Sequence, residues 1–302
     1  MKKCIESIFK IIILLSLALV SISNLSCNKY PKTIIYQTDT YYSYTNINYG
    51  EHERHYLDLV IPKRDKIPSG IILYIHGGGW TTGDKKAFSD SLKSTAEKGY
   101  IASSINYRYA NGNTITYENI LDDIDAALTK VKFILQEKGI LVDKVMLTGL
   151  SAGAHLSLMY AYTRVNTAPI KPVAVASYAG PTNLYDNNFY ITSHVEDIKK
   201  LIFSISGANI IKGSLTDSKD ALLAASPINY VNENTVPTLI CHGTKDDVVP
   251  YSNANKLYDL LTLYNVETEL ITFHNSGHGL ENDSDSIDYT IQYFYELAEK
   301  YL

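Results

Sequence analysis

The sequence predicts an α/β fold with a mostly parallel central sheet and helices on both faces, and three observations predict it. From Tyr56 onward, short apolar runs of strand length alternate with longer amphipathic runs of helical period, the order that repeated βαβ units require. The run GIILYIH over 70–76 is apolar almost throughout and starts at a glycine, as expected of a strand covered on both faces. Gly99 and Gly139 stand directly after helical patterns, where a left-handed cap residue ends a helix.

Taken in order, residues 56–61 alternate as a half-buried strand that stops at Pro62, and 70–76 form a buried strand. Residues 87–98 read as a helix and 101–106 as a strand. A long helix follows over 119–138, with Ile120, Ile124, Ala127, Leu128, Val131 and Leu135 on one stripe. Strand 144–148, helix 152–163 and strand 172–178 continue the pattern, and 238–242, 252–265, 269–273 and 286–301 close it as strand, helix, strand, helix. Residues 181–235 break the rhythm and read as an insertion that forms a lid or pocket wall. No repeat or proline-rich linker divides the chain, so 41–302 is expected to be one domain.

Composition narrows the function. The 302 residues carry 27 Lys plus Arg against 32 Asp plus Glu, a formal charge of −5, with 45 % apolar and 20 % charged residues. These proportions exclude a disordered chain, a collagen-like repeat and a multi-span membrane protein. An acidic chain offers no electrostatic basis for nucleic acid, because phosphate neutralisation needs clustered Lys and Arg. The 25 tyrosines, against seven phenylalanines and one tryptophan, fit a chain generally rich in Ile, Asn and Lys; a sugar or aryl site lined by some of them is the alternative.

The N-terminus reads as an address. Lys2, Lys3 and Lys10 precede the run IIILLSLALVSI over 11–22, which is shorter than the ~20 residues that span a bilayer and matches a secretory signal. Asn24-Leu25-Ser26-Cys27 resembles a bacterial lipoprotein cleavage site, although the usual leucine three places before the cysteine is Asn24. The expectation is a signal peptide over 1–26, a lipidated Cys27, a tether over 27–40, and export to the periplasm or cell surface with the lipid as the membrane anchor. Cys4 leaves with the leader, so Cys241 has no intramolecular disulfide partner and reads as a buried structural thiol.

Two loops carry chemistry. Gly149-Leu150-Ser151-Ala152-Gly153 lies between a predicted strand and a predicted helix, the context of a G-x-S-x-G nucleophile elbow. A tight turn with a serine N-cap is the structural alternative. Upstream, His76-Gly77-Gly78-Gly79-Trp80 follows the strand over 70–76. Its glycines leave backbone N–H groups open to a substrate oxygen, so Gly78 and Gly79 are expected to donate from one side of an oxyanion hole and Ala152 from the other. No Gly-Lys-Ser/Thr completes a phosphate loop.

On these residues the chain resembles the α/β-hydrolases, and among them the bacterial esterases with an HGGGW loop, related to hormone-sensitive lipase and to feruloyl- and acetyl-ester hydrolases. The likeness covers roughly 40–300. The resemblance implies the chain order serine, acid, histidine. In His242-Gly-Thr-Lys-Asp246-Asp-Val-Val-Pro250 it puts the acid at Asp246, with Asp247 the alternative. It puts the base at His278, between Gly277 and Gly279. Of the other histidines, His52 and His55 come too early, His76 and His242 brace their loops, His155 packs on the elbow helix, and His194 belongs to the insertion. His274, four residues before His278, could pair with it on a metal, but the flanking glycines argue against the helix this needs.

The implied activity is that of a serine carboxylesterase working through an acyl-enzyme, without metal or other cofactor, on a small-molecule or glycan ester such as an acetyl or feruloyl group on plant polysaccharide. An amide hydrolase, either arylformamidase or peptidase, would use the same three residues. A non-catalytic surface binding protein is the reading from another class.

Overall fold

The strands are β1 (Ile34–Gln37), β2 (Tyr41–Asn48), β3 (Tyr56–Pro62), β4 (Gly70–Ile75), β5 (Ile101–Ile105), β6 (Lys144–Leu150), β7 (Lys171–Tyr178), β8 (Thr238–Gly243) and β9 (Thr268–Phe273). In this computed structural model, which describes residues 31–64, 70–191 and 194–302, they form one sheet in the order β1-β2-β3-β5-β4-β6-β7-β8-β9. Strands β4 to β9 run parallel, and β1, β2 and β3 add antiparallel at one edge. The predicted leader and Cys27 lie outside the described residues.

Side chains alternate across the sheet and so build two cores. Leu57, Leu59, Ile71, Leu73, Val145 and Leu147 point to the layer of helices α2 (Tyr117–Glu137), α3 (Ala152–Thr163) and α6 (Ser252–Leu263). Val60, Ile72, Met146, Ala176 and Cys241 point to α1 (Ser89–Glu97) and α7 (Ser284–Tyr301). Helix α2 spans the stripe read from sequence, and Thr116 and Asn119 close its start as a capping box. Cys241 is buried and, among the described residues, unbonded to sulfur.

Three expectations are corrected. The tether over 27–40 is partly strand: Ile34–Gln37 pair with Tyr42–Thr45 as β1, all four exposed. Strand β3 is buried along its whole length, because α1 and α2 cover its two faces. The polar member of its alternating pattern, Asp58, is accommodated by the buried Lys85 ammonium at 2.7 Å. The helix expected over 87–98 begins as a 3-10 turn at Lys85–Phe88, where the Asp84 side chain accepts the Lys86 N–H.

The connection through α1 carries the chain from β4 to β5 on one side, and α2 returns it to β6 on the other. Strand order therefore reverses at β4, and the loops after β4 and β6 open a crevice at the carboxyl ends of adjacent strands, where open α/β sheets bind ligands. The register Ile75↔Gly149 brings the glycine loop and the elbow side by side.

Candidate active site

The elbow is set by close backbone approach. An ideal Cβ on Gly149 would lie 2.5 Å from the Ile75 carbonyl oxygen, and one on Gly153 would be closer still. These glycines let α3 start hard against the end of β4. Between them Ser151 takes φ 56° and ψ −121°, a conformation that L residues avoid and that surrounding contacts must impose. Its N–H is held by the Tyr178 carbonyl at 2.8 Å, and its carbonyl accepts the His155 N–H at 3.0 Å.

Three predicted residues meet here. His278 donates Nδ1–H to Asp246 Oδ2 at 2.8 Å, and its Nε2 accepts the Ser151 hydroxyl at 2.9 Å. The Asp246 carboxylate itself is fully buried. Burial alone would raise its pKa. Hydrogen bonds from His242, His278 and the Val249 N–H outweigh that and hold it well below the usual carboxylate range. Its other oxygen accepts the N–H groups of Val248 and Val249 at 2.9 and 2.8 Å. Asp247 and His274, the alternatives weighed from sequence, are both exposed residues.

The acid and histidine loops are joined. Lys245 donates its N–H to the Ser276 carbonyl at 3.1 Å, and Thr244 Oγ1 donates to the His274 carbonyl at 3.0 Å. Asp283 accepts from the Asn275 N–H at 3.0 Å and from Ser276 Oγ at 2.6 Å, closing the turn that carries His278. Sequence reasoning missed one contact. The fully buried His242 donates Nε2–H to the Val249 carbonyl at 2.9 Å and lies 3.2 Å from Asp246 Oδ2. Its four-residue spacing from Asp246, folded back by the turn after β8, is the sequence signal for it.

The glycine loop is braced from behind. Gly78 and Gly79 have φ of 107° and 57°, and the Gly78 carbonyl accepts the N–H groups of Thr81 and Thr82 at 3.2 and 3.0 Å. This turn leaves the N–H groups of Gly78 and Gly79 without an acceptor among the described residues, and Ala152, as the first residue of α3, has no intrahelical one. His76 donates Nδ1–H to the Gly77 carbonyl at 2.7 Å, with Arg54 Nη2 3.3 Å from its other nitrogen. Trp80, also at positive φ, donates its indole N–H to His155 Nδ1 at 3.2 Å, and His155 Nε2–H reaches the Ala225 carbonyl at 2.8 Å.

Burial lowers the imidazoles of His76 and His155 to about 4, although each backbone acceptor pulls its ring upward. Both are neutral in the fold and protonate near pH 6.5 once unfolded. Unfolding therefore takes up protons below that pH. Stability is complete above about pH 6.5 and falls toward pH 4, by about 1.4 kcal/mol per pH unit for each ring. Urea midpoints recorded between pH 7 and 4.5 should decline over this window; a flat profile would contradict the two buried neutral rings.

The insertion between β7 and β8 supplies α4 (Val195–Ser206) and α5 (Lys219–Ala224). Leu184, Phe189 and Leu201 from it line an apolar cavity of about 40 Å³ together with Gly79, Trp80 and Ser151. Gly78 is not among the lining residues; its Cα faces Thr82.

Known proteins resemble this chain in sequence and in fold. The BD-FAE family profile matches residues 57–261. The "Probable carboxylic ester hydrolase LipM" of Mycobacterium tuberculosis is 30 % identical over 228 residues, covering 72 % of this chain and 51 % of that protein. A "Probable isoprenylcysteine alpha-carbonyl methylesterase ICMEL1" of Arabidopsis thaliana is 23 % identical, covering 77 % and 50 %. The chain thus spans about half the length of these curated relatives. In fold it is similar to a truncated carbohydrate esterase from gut microbiota, with TM-score 0.70, 23 % identity and coverage of 88 % of this chain and all of that one. Esterase B from Lactobacillus Rhamnosis also superposes with TM-score 0.70, at 17 % identity and coverage of 95 % and 94 %. The profile match runs from β3 through α6 and takes in both the glycine loop and the elbow; the chain belongs to the BD-FAE family and has the α/β-hydrolase fold.

Proposed function

We propose that this chain is a serine carboxylic ester hydrolase whose nucleophile, base and acid are Ser151, His278 and Asp246. The observation that carries the reading is the unbroken hydrogen-bond chain from Ser151 Oγ through His278 to Asp246. Ser151 Oγ attacks the ester carbonyl carbon as its proton passes to His278 Nε2. Asp246 keeps the ring in the Nδ1–H tautomer and stabilises the imidazolium. The N–H groups of Ala152, Gly79 and Gly78 receive the developing oxyanion. Collapse of the tetrahedral intermediate breaks the bond to the alcohol oxygen, which leaves with the proton from Nε2. Water then repeats the sequence on the acyl-serine, giving the free acid and Ser151.

The curated relatives named as ester hydrolases support this chemistry. A glycan ester as natural substrate is supported by the fold neighbour named a carbohydrate esterase and by the leader read from residues 1–26. With that leader we propose export and anchoring through a lipid on Cys27, the domain facing the periplasm or medium. A fluorophosphonate probe tests the chemistry. One equivalent should attach, peptide mapping should locate it on Ser151, and the free enzyme should hydrolyse p-nitrophenyl acetate. Absence of both labelling and turnover would overturn the reading.

A further inference from the structure

The small cavity beside Ser151 bears on which acyl group the site takes. That cavity measures only about 40 Å³. Pockets for drug-sized ligands run to about 300–1,000 Å³. The direction of the substrate follows from proton transfer. The leaving oxygen must take its proton from His278 Nε2, and among the described residues none of the histidine loop lines the cavity. With the carbonyl oxygen turned to the N–H groups of Ala152 and Gly79, the alcohol lies toward His278 and the acyl chain enters the cavity.

The wall is not easily displaced. Phe189, Ile198 and Ile202 are buried in the main core, where an inserted methylene forces neighbours off their preferred rotamers. Leu201, like Val248 on the loop of the acid, is a half-buried member of the wall. An ideal Cβ on Gly79 would meet Leu201 Cδ2 at 2.7 Å, so this leucine lies directly against the glycine loop. Taking the ester-hydrolase reading as given, we infer that the acyl subsite takes the shortest acyl groups, acetyl or propionyl, and that Leu201 sets the limit. A feruloyl group is excluded by size.

Initial rates on p-nitrophenyl acetate, propionate, butyrate and hexanoate, with methyl ferulate beside them, test this. One methylene too many in an apolar pocket discriminates by about 10–200-fold. For the wild type, kcat/KM should fall at least about tenfold between acetate and butyrate, and methyl ferulate should not be cleaved. Leu201→Ala should raise the butyrate-to-acetate ratio of kcat/KM about tenfold. Equal rates on acetate, hexanoate and ferulate would overturn the acyl limit while leaving the hydrolase intact, and an unchanged ratio in Leu201→Ala would remove Leu201 from it. Failure on every ester together with failure to take the fluorophosphonate would instead sink the hydrolase reading itself.

Discussion

Ser151→Ala should lower kcat on p-nitrophenyl acetate by about 10⁶-fold, and Asp246→Asn by about 10⁴-fold, with the fold retained in both. Catalytic residues that act as a unit each carry nearly the full loss when removed. The difference between the two follows from their roles. Without Oγ there is no acyl-enzyme. With an amide at 246 the atoms remain, but the group can also present an N–H where an acceptor is required, so the ring is no longer held in the Nδ1–H tautomer. The backbone donors Val248 and Val249 would still engage the amide oxygen, which is why the loop should survive. Stopped-flow rates at saturating substrate and far-UV circular dichroism would check both halves; a hundredfold loss or less in either variant would contradict the assignment.

The second large effect concerns stability. Gly153→Ala should cost more than about 4 kcal/mol, the range reserved for a few severe mechanisms. Its Cβ would fall within the Ile75 carbonyl, and also against the His76 carbonyl. Both are backbone atoms of the glycine loop's own root, so relief requires α3 to back away from β4. Gly139→Ala is the informative contrast. Among the described residues nothing lies within 4 Å of its Cβ position, but its φ is 74°, so the cost should be only the ~1–2 kcal/mol of a left-handed alanine. Urea unfolding of both variants would separate a backbone collision from a dihedral penalty. Equal losses would show that the close approach at Gly153 is readily relieved.

The parts of the molecule that could be read in advance are those whose pattern is local. Helix α3 begins and ends where the small and apolar residues after Ser151 indicate, and β4 is apolar because both its faces are covered. The serine and glycine loops could be read because strand-turn-helix context is itself a local pattern. The first two strands could not. All four β1 residues are exposed, so Ile34–Gln37 carry no burial period, and the tyrosines of Tyr41–Asn48 blend into a chain rich in tyrosine throughout. Helix α4 was missed within the insertion, although Val195, Ile198, Ile202 and Ile205 have helical spacing. The contact of Leu201 with Gly79 depends on tertiary approach, which no spacing announces, and that of His242 with Asp246 is signalled only by their four-residue separation across a turn.

The insertion leaves the sheet after β7 and rejoins it at β8, and these strands are immediate neighbours paired at Val175↔Thr238. Its exit and entry points are therefore held by the sheet rather than by its own contents. A longer, shorter or resculpted excursion would change the walls it sets against Ser151 and α3, the Ala225 carbonyl on His155 among them. The strands β6, β8 and β9, after which Ser151, Asp246 and His278 stand, would keep their pairing within the sheet. Such a change would reshape the room beside Ser151 before it disturbed the strand ends that hold the serine, the aspartate and the histidine in reach of one another.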